Sequence, residues 1–155
     1  MPNFNKLIAT FFGLGYMPIA PGTFGALGGL VISFLLMQAD IDYNSFQFIH
    51  IVLILVSFIA GSYACHMLKS EWGHDPSRVV IDETLGFWTS ILFLPLNFYI
   101  LISGFVLFRF FDIVKPLGIR KIDQGNSPYS VMTDDVVAGI YANIVLQIIT
   151  RLFIS

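Results

Sequence analysis

Charged residues divide this chain into four uncharged stretches, residues 7–39, 43–68, 84–108 and 136–150, each a candidate for crossing a bilayer. Among 155 residues, 56% are hydrophobic and only 12% charged, and the mean hydropathy is +0.80. An ordinary soluble domain has about twice that share of charge. The composition therefore describes a membrane chain long enough for one domain, covering residues 1–155. A formal net charge of -2 offers no basic field for nucleic acid, and the single Cys65 supplies neither an intrachain disulfide nor a paired-cysteine metal site.

A bilayer core needs about 20 helical residues, fewer where flanking residues snorkel. Residues 43–68 fit easily. In the first stretch, Pro18 and Pro21 interrupt any helix begun near Phe4, and Thr23 after Gly22 makes an N-cap, so the first span is expected from Phe24. Residues 2–17 read as an interfacial segment rather than a cleaved signal peptide. In the third stretch, Pro95 and Asn97 read as the tip of a helical hairpin. A single crossing would separate Lys69 and Arg78 from Arg109, Lys115, Arg120 and Lys121, against the positive-inside rule.

The expected fold is all-α, a polytopic membrane bundle of five short helices at residues 24–39, 46–68, 79–94, 97–114 and 133–152, with the interfacial N-terminal segment beside it. If Pro95 only kinks one span, the count falls to four. In this arrangement the charged residues between Lys69 and Asp135, most of those in the chain, all fall on one face, together with the "APGT" loop, and the positive-inside rule makes that face cytoplasmic.

That face carries acids in three clusters: Asp75, Asp82 and Glu83, then Asp112, then Asp134 with Asp135. Carboxylates on three helix ends can converge on a hard cation such as Mg²⁺, which takes oxygen ligands and keeps waters that a phosphate can replace. Gly86 and Gly139 stand four residues after Asp82 and Asp135, leaving room under each acid for a headgroup or a closely packed helix. First-turn acids also complement a helix dipole, and Thr133 could simply cap the last helix. Three clusters on one membrane face favour a ligand over capping alone.

Arg109, Asp112 and Lys115 are spaced three apart on a helix that Pro116 ends, mixed charge suited to a phosphate beside a metal. The N–H groups at Gly22 and Thr23 offer a second anion site. Other phosphatase chemistries fail on inspection. Glu71 stands where a cysteine-nucleophile loop starting at Cys65 needs arginine, the chain has no DxDx[TV] motif, and Thr84 stands where a vanadium-peroxidase-like enzyme needs histidine. His50 and His66 read as packed residues in an apolar span. Metal-assisted attack by water is the simplest remaining mechanism.

The blocks "GYMPIAPGTFGALGG", "HDPSRVVIDETLGFW", "FRFFDIVKPLGIRKID" and "VMTDDVVAGIYA" resemble, in order and spacing, the bacterial phosphatidylglycerophosphatase A family. The resemblance implies a magnesium-dependent, multi-pass inner-membrane lipid phosphatase. It would convert phosphatidylglycerophosphate to phosphatidylglycerol and inorganic phosphate in phospholipid biosynthesis. It further implies Asp82, Glu83, Asp112, Asp134 and Asp135 as metal ligands, and Gly22, Thr23, Arg109, Lys115 and Arg120 as substrate-binding residues. Asp75, Asp82 and Asp135 are the catalytic candidates, and which carboxylate acts as general base stays open. "QGNSPYSVMTDD" departs from the glycine-rich loop that the family usually has before its last acids. Two other classes also fit the acids: an ion or proton transporter with an acidic site, and a membrane subunit whose charged face docks a partner.

Overall fold

The computed structural model describes residues 4–73, 76–116, 118 and 129–153, and these contain six α-helices and no strand. They are α1 (Phe4–Ala9), α2 (Pro21–Gln38), α3 (Tyr43–Trp72), α4 (Ile81–Ser90), α5 (Phe98–Val114) and α6 (Ser130–Phe153), with a 3₁₀ turn at Leu14–Tyr16. The five expected helices are present with shifted ends. Three of the six, α2, α3 and α6, are long and apolar enough to cross a membrane.

Two boundaries correct the sequence reading. Pro21 is the first residue of α2 rather than its breaker, because proline's missing N–H has no partner at that position anyway; the cap is Ala20 in a left-handed conformation, not Thr23. Thr133 lies inside α6, its hydroxyl donating to the Tyr129 carbonyl at 2.6 Å, so it does not cap the helix. Asp134 and Asp135 consequently sit beyond the first turn, where a helix dipole no longer accounts for them.

The largest departure is α4. Residues 79–94 were expected to form a span, but the helix has only 10 residues, about 15 Å, roughly half the hydrocarbon thickness. Nine of those 10 residues are buried, since α4 packs against α2, α3, α5 and α6. A helix ending inside an apolar bundle leaves carbonyls without partners, and neighbouring amides supply them. Asn143 Nδ2 donates to the carbonyls of Ser90 and Leu92 at 3.1 and 2.8 Å, and Gln147 Nε2 donates to that of Phe93 at 3.3 Å. Phe93 N–H donates to Gln47 Oε1 at 2.9 Å. The chain then turns back through Pro95, and Asn97 caps α5 by accepting from the Ile100 N–H. The hairpin reading of this stretch therefore describes it better than one kinked helix.

Close helix approach depends on glycine. A Cβ on Gly25 would stand 2.6 Å from the Val80 carbonyl, and one on Gly139 2.3 Å from the Gly86 carbonyl, so α2 and α6 each touch the segment around α4 backbone to backbone. These contacts make α2, α4 and α6 run side by side from one common end. The first segment is tied on by the Val80 N–H to Ala9 carbonyl bond and by the Lys6–Glu71 ion pair. Exposed apolar side chains on α3 (Val52, Leu55, Val56, Ile59) and α6 (Ile144, Ile148, Leu152) give the bundle an apolar exterior.

Candidate functional site

The common end of the bundle holds a cavity of about 240 Å³ lined by Asp82, Glu83, Asp112, Asp134, Asp135, Lys115, Pro76, Ser77, Val79 and Val131. Each acid arrives there for a local reason. Asp82 and Glu83 occupy the first turn of α4, where the dipole favours negative charge, and Asp82 Oδ1 accepts from the Glu83 N–H at 3.1 Å. Asp112 lies in the last turn of α5, and Asp134 and Asp135 are buried in α6 against α4. The glycines four residues after Asp82 and Asp135 serve helix packing: Gly86 faces Phe108 and the Asp135 carbonyl.

One oxygen each of Asp82, Glu83 and Asp135 lies within 4.8 Å of the others. Mutual repulsion at that separation, among largely buried side chains, needs positive charge to offset it. Among the described residues, two cations stand nearby. Lys115, held in a left-handed conformation where α5 ends, places Nζ 2.7 Å from Asp134 Oδ2. Arg109 pairs with Asp112 and lies 4.0 Å from Glu83 Oε1, behind these acids rather than in the cavity lining. Five carboxylates against two cations leave an acidic excess. Glu83 Oε2 is buried with no hydrogen-bond partner among the described residues. An all-oxygen donor set with an unsatisfied carboxylate oxygen fits a hard divalent cation and offers nothing to a soft one.

The expected site residues fall into four groups. Asp82, Glu83, Asp112, Asp134, Asp135 and Lys115 come together around the cavity. Gly22 touches the acids from behind: a Cβ there would stand 2.0 Å from Glu83 Oε1 and 3.3 Å from Arg109 Nη1. Thr23, in the first turn of α2, is outside the lining. Asp75 and Arg120 lie outside the described residues. Pro76, Ser77 and Val131 were not singled out, although Pro76 and Ser77 sit between two acids of the second block; small and apolar residues carry no chemical signature in a sequence.

Residues 7–150 match the sequence model of the family described as Phosphatidylglycerophosphatase A. A Bacteroides thetaiotaomicron protein named, provisionally, as a phosphatidylinositol-3-phosphatase is 41% identical over 145 residues, 92% of this chain and 91% of its own. Proteins named phosphatidylglycerophosphatase A from Haemophilus influenzae and Escherichia coli are 37% and 34% identical, covering 90% and 96% of this chain and 85% of each relative. No solved structure matches the chain significantly. With the family match spanning nearly the whole sequence and the motif acids gathered in one cavity, the chain belongs to the phosphatidylglycerophosphatase A family and is an enzyme of the phosphatase class.

Proposed function

We propose that the chain is a magnesium-dependent lipid phosphatase that hydrolyses phosphatidylglycerophosphate to phosphatidylglycerol and inorganic phosphate, working at the cytoplasmic face of a bacterial inner membrane in phospholipid biosynthesis. The observation that carries this reading is one acidic cavity, with Lys115 in its wall, at the end of a bundle whose exterior is apolar. A substrate with two acyl chains keeps them in lipid while its terminal phosphate enters the charged end. The membrane topology follows: α2, α3 and α6 cross, and α4 with α5 forms a fourth and fifth element that enters from the cavity side and returns to it.

In this reading Asp82, Glu83 and Asp135 hold Mg²⁺, with Asp134 and Asp112 beside them. The ion supplies Lewis-acid polarisation of the phosphoryl group when bound. Lys115 binds a phosphoryl oxygen and screens the approaching dianion from Asp134. Arg109 fixes the carboxylates of Asp112 and Glu83 from behind and is a positioning residue. The N-termini of α2 and α4 both face this end, adding partial positive charge where negative charge arrives. One cavity carboxylate takes a proton from the water as its oxygen bonds to phosphorus, and that proton passes to the headgroup oxygen as its bond to phosphorus breaks, leaving an alcohol and inorganic phosphate.

The name of the Bacteroides relative supports a second reading, a phosphoinositide as substrate. Both lipids present a terminal phosphomonoester on a diacyl anchor, so the cavity alone does not choose between them. Phosphate release from each lipid by purified protein, with Mg²⁺ and with chelator, separates the readings. The first expects faster turnover of phosphatidylglycerophosphate, absent with chelator. Release from neither lipid, or release indifferent to Mg²⁺, overturns the proposal. A transporter is disfavoured because the charged side chains described in the bundle interior lie at one end only.

A further inference from the structure

A second cavity, about 540 Å³, opens on the outer side of α3 and is lined by Phe58, Ile59, Ser62, Tyr63, His66 and Tyr129. Ser62 is 4% exposed, and its hydroxyl has no hydrogen-bond partner among the described residues. A buried hydroxyl that lines a cavity without a partner is a position for a ligand's acceptor.

The location narrows the ligand. Tyr129 lines this cleft and Val131, two residues on, lines the catalytic cavity, so the two spaces flank the start of α6. Gly61, next to Ser62, faces Met132 and Ile81 on the catalytic side. The separation is on the order of 10 Å, one helix width, comparable to the headgroup between a terminal phosphate and an acyl ester. From the cleft, the exposed side chains of Val52, Leu55, Val56 and Ile59 continue along α3 as an apolar track. The polar groups Ser62, His66 and Tyr129 sit beside the aromatic and aliphatic surface of Phe58 and Ile59. This juxtaposition matches the boundary between glycerol esters and acyl chain.

We infer that this cleft is the acylglycerol subsite for the lipid substrate: Ser62 donates to an acyl-ester carbonyl, and the first methylenes lie on Phe58 and Ile59. The inference rests on the lipid-phosphatase reading, and its test keeps the two apart.

Two variants are used, Ser62→Ala, which removes the donor, and Ile59→Trp, which fills the cleft. The first readout needs no turnover: a diacyl phosphatidylglycerol carrying a diazirine close to the ester is photocrosslinked to the protein in nanodiscs. Labelling is expected within residues 58–66 of the wild type and to be lost in Ile59→Trp. Labelling elsewhere, or equal labelling in that variant, overturns the subsite whether or not phosphate release is observed. The second readout is kcat/KM for the diacyl substrate over its dialkyl-ether analogue, which lacks the ester carbonyls, a ratio expected to fall about five-fold in Ser62→Ala through KM. An unaltered ratio also overturns it. Because Ser62→Ala removes an unsatisfied buried hydroxyl, its thermal midpoint should hold or rise, which separates lost binding from damaged folding.

Discussion

The two ends of α4 do opposite things with polarity. At its start, Asp82 and Glu83 join three more carboxylates and Lys115 around an open cavity. At its finish, neutral amides from Gln47, Asn143 and Gln147 close the backbone, and no charged side chain takes part in those bonds. Nearby, the buried Ser33 hydroxyl lies 2.8 Å from His50 Nε2, again a pairing without a carboxylate. Both ends are polar and largely buried, yet only one concentrates net charge. Backbone satisfaction in an apolar setting needs dipoles and nothing more, whereas charge there is costly and is retained where a charged ligand offsets it.

That contrast can be broken at either end. The largest effect is expected from Asp82→Asn or Asp135→Asn, each lowering phosphate release on the order of a hundredfold or more. Thermal stability should hold or rise without added cation, because like-charge repulsion is relieved. A variant with full activity would remove these acids from the chemistry. The linked experiment is thermal: Mg²⁺ at a hundred times its dissociation constant should stabilise the wild type by about 2.7 kcal/mol. Chelator should reverse the shift and Asp135→Asn should abolish it.

Between the ends, Gly139→Leu tests the crossing that brings α6 to α4. The new side chain has no space against the Gly86 carbonyl, and a loss of about 1–3 kcal/mol is expected in thermal unfolding, with activity falling alongside. At the neutral end, Asn143→Leu strips the donors from Ser90 and Leu92, costing about 1–2 kcal/mol while sparing KM far more than the acid variants do. An equal loss of Mg²⁺ response in Asn143→Leu would show that the two ends are not separate.

The smallest effect belongs to Asp42, the exposed N-cap of α3. Hydrogen bonds from the Ser45 hydroxyl and then the Ser45 N–H hold its carboxyl below the usual carboxylate range. A depressed folded-state value means the contribution is present above the ordinary aspartate range and disappears as pH falls through the lowered value. Asp42→Ala should therefore flatten a slight acid-side decline in thermal midpoint and leave the neutral-pH slope alone.

Much of the helical framework was readable because charge and proline punctuate an apolar chain, and physics allows few alternatives in lipid. Both helices of the hairpin around Pro95 and the acids of the cavity could be named from their residues alone. Reading failed at one boundary set by its immediate neighbours and at another set from far along the chain. Thr23 looked like a cap because residues of its type favour that role, but Ala20 and Pro21 start α2 while Gly25 packs it against Val80. Residues 79–94 looked long enough for a span because apolar composition continues past Ser90, and only Asn143, some fifty residues away, reveals where the helix ends.

By itself the sequence determined an all-helical membrane chain with its acids concentrated in a few blocks, because uncharged runs and clustered carboxylates are local facts about composition. Tertiary structure alone decided that Asp82, Glu83 and Asp135 share one small volume, that Arg109 stands behind them, and that Ser62 lines a separate cleft. Those arrangements depend on how closely glycine-bearing helices approach, and close approach is a property of pairs of surfaces that no single stretch of chain contains.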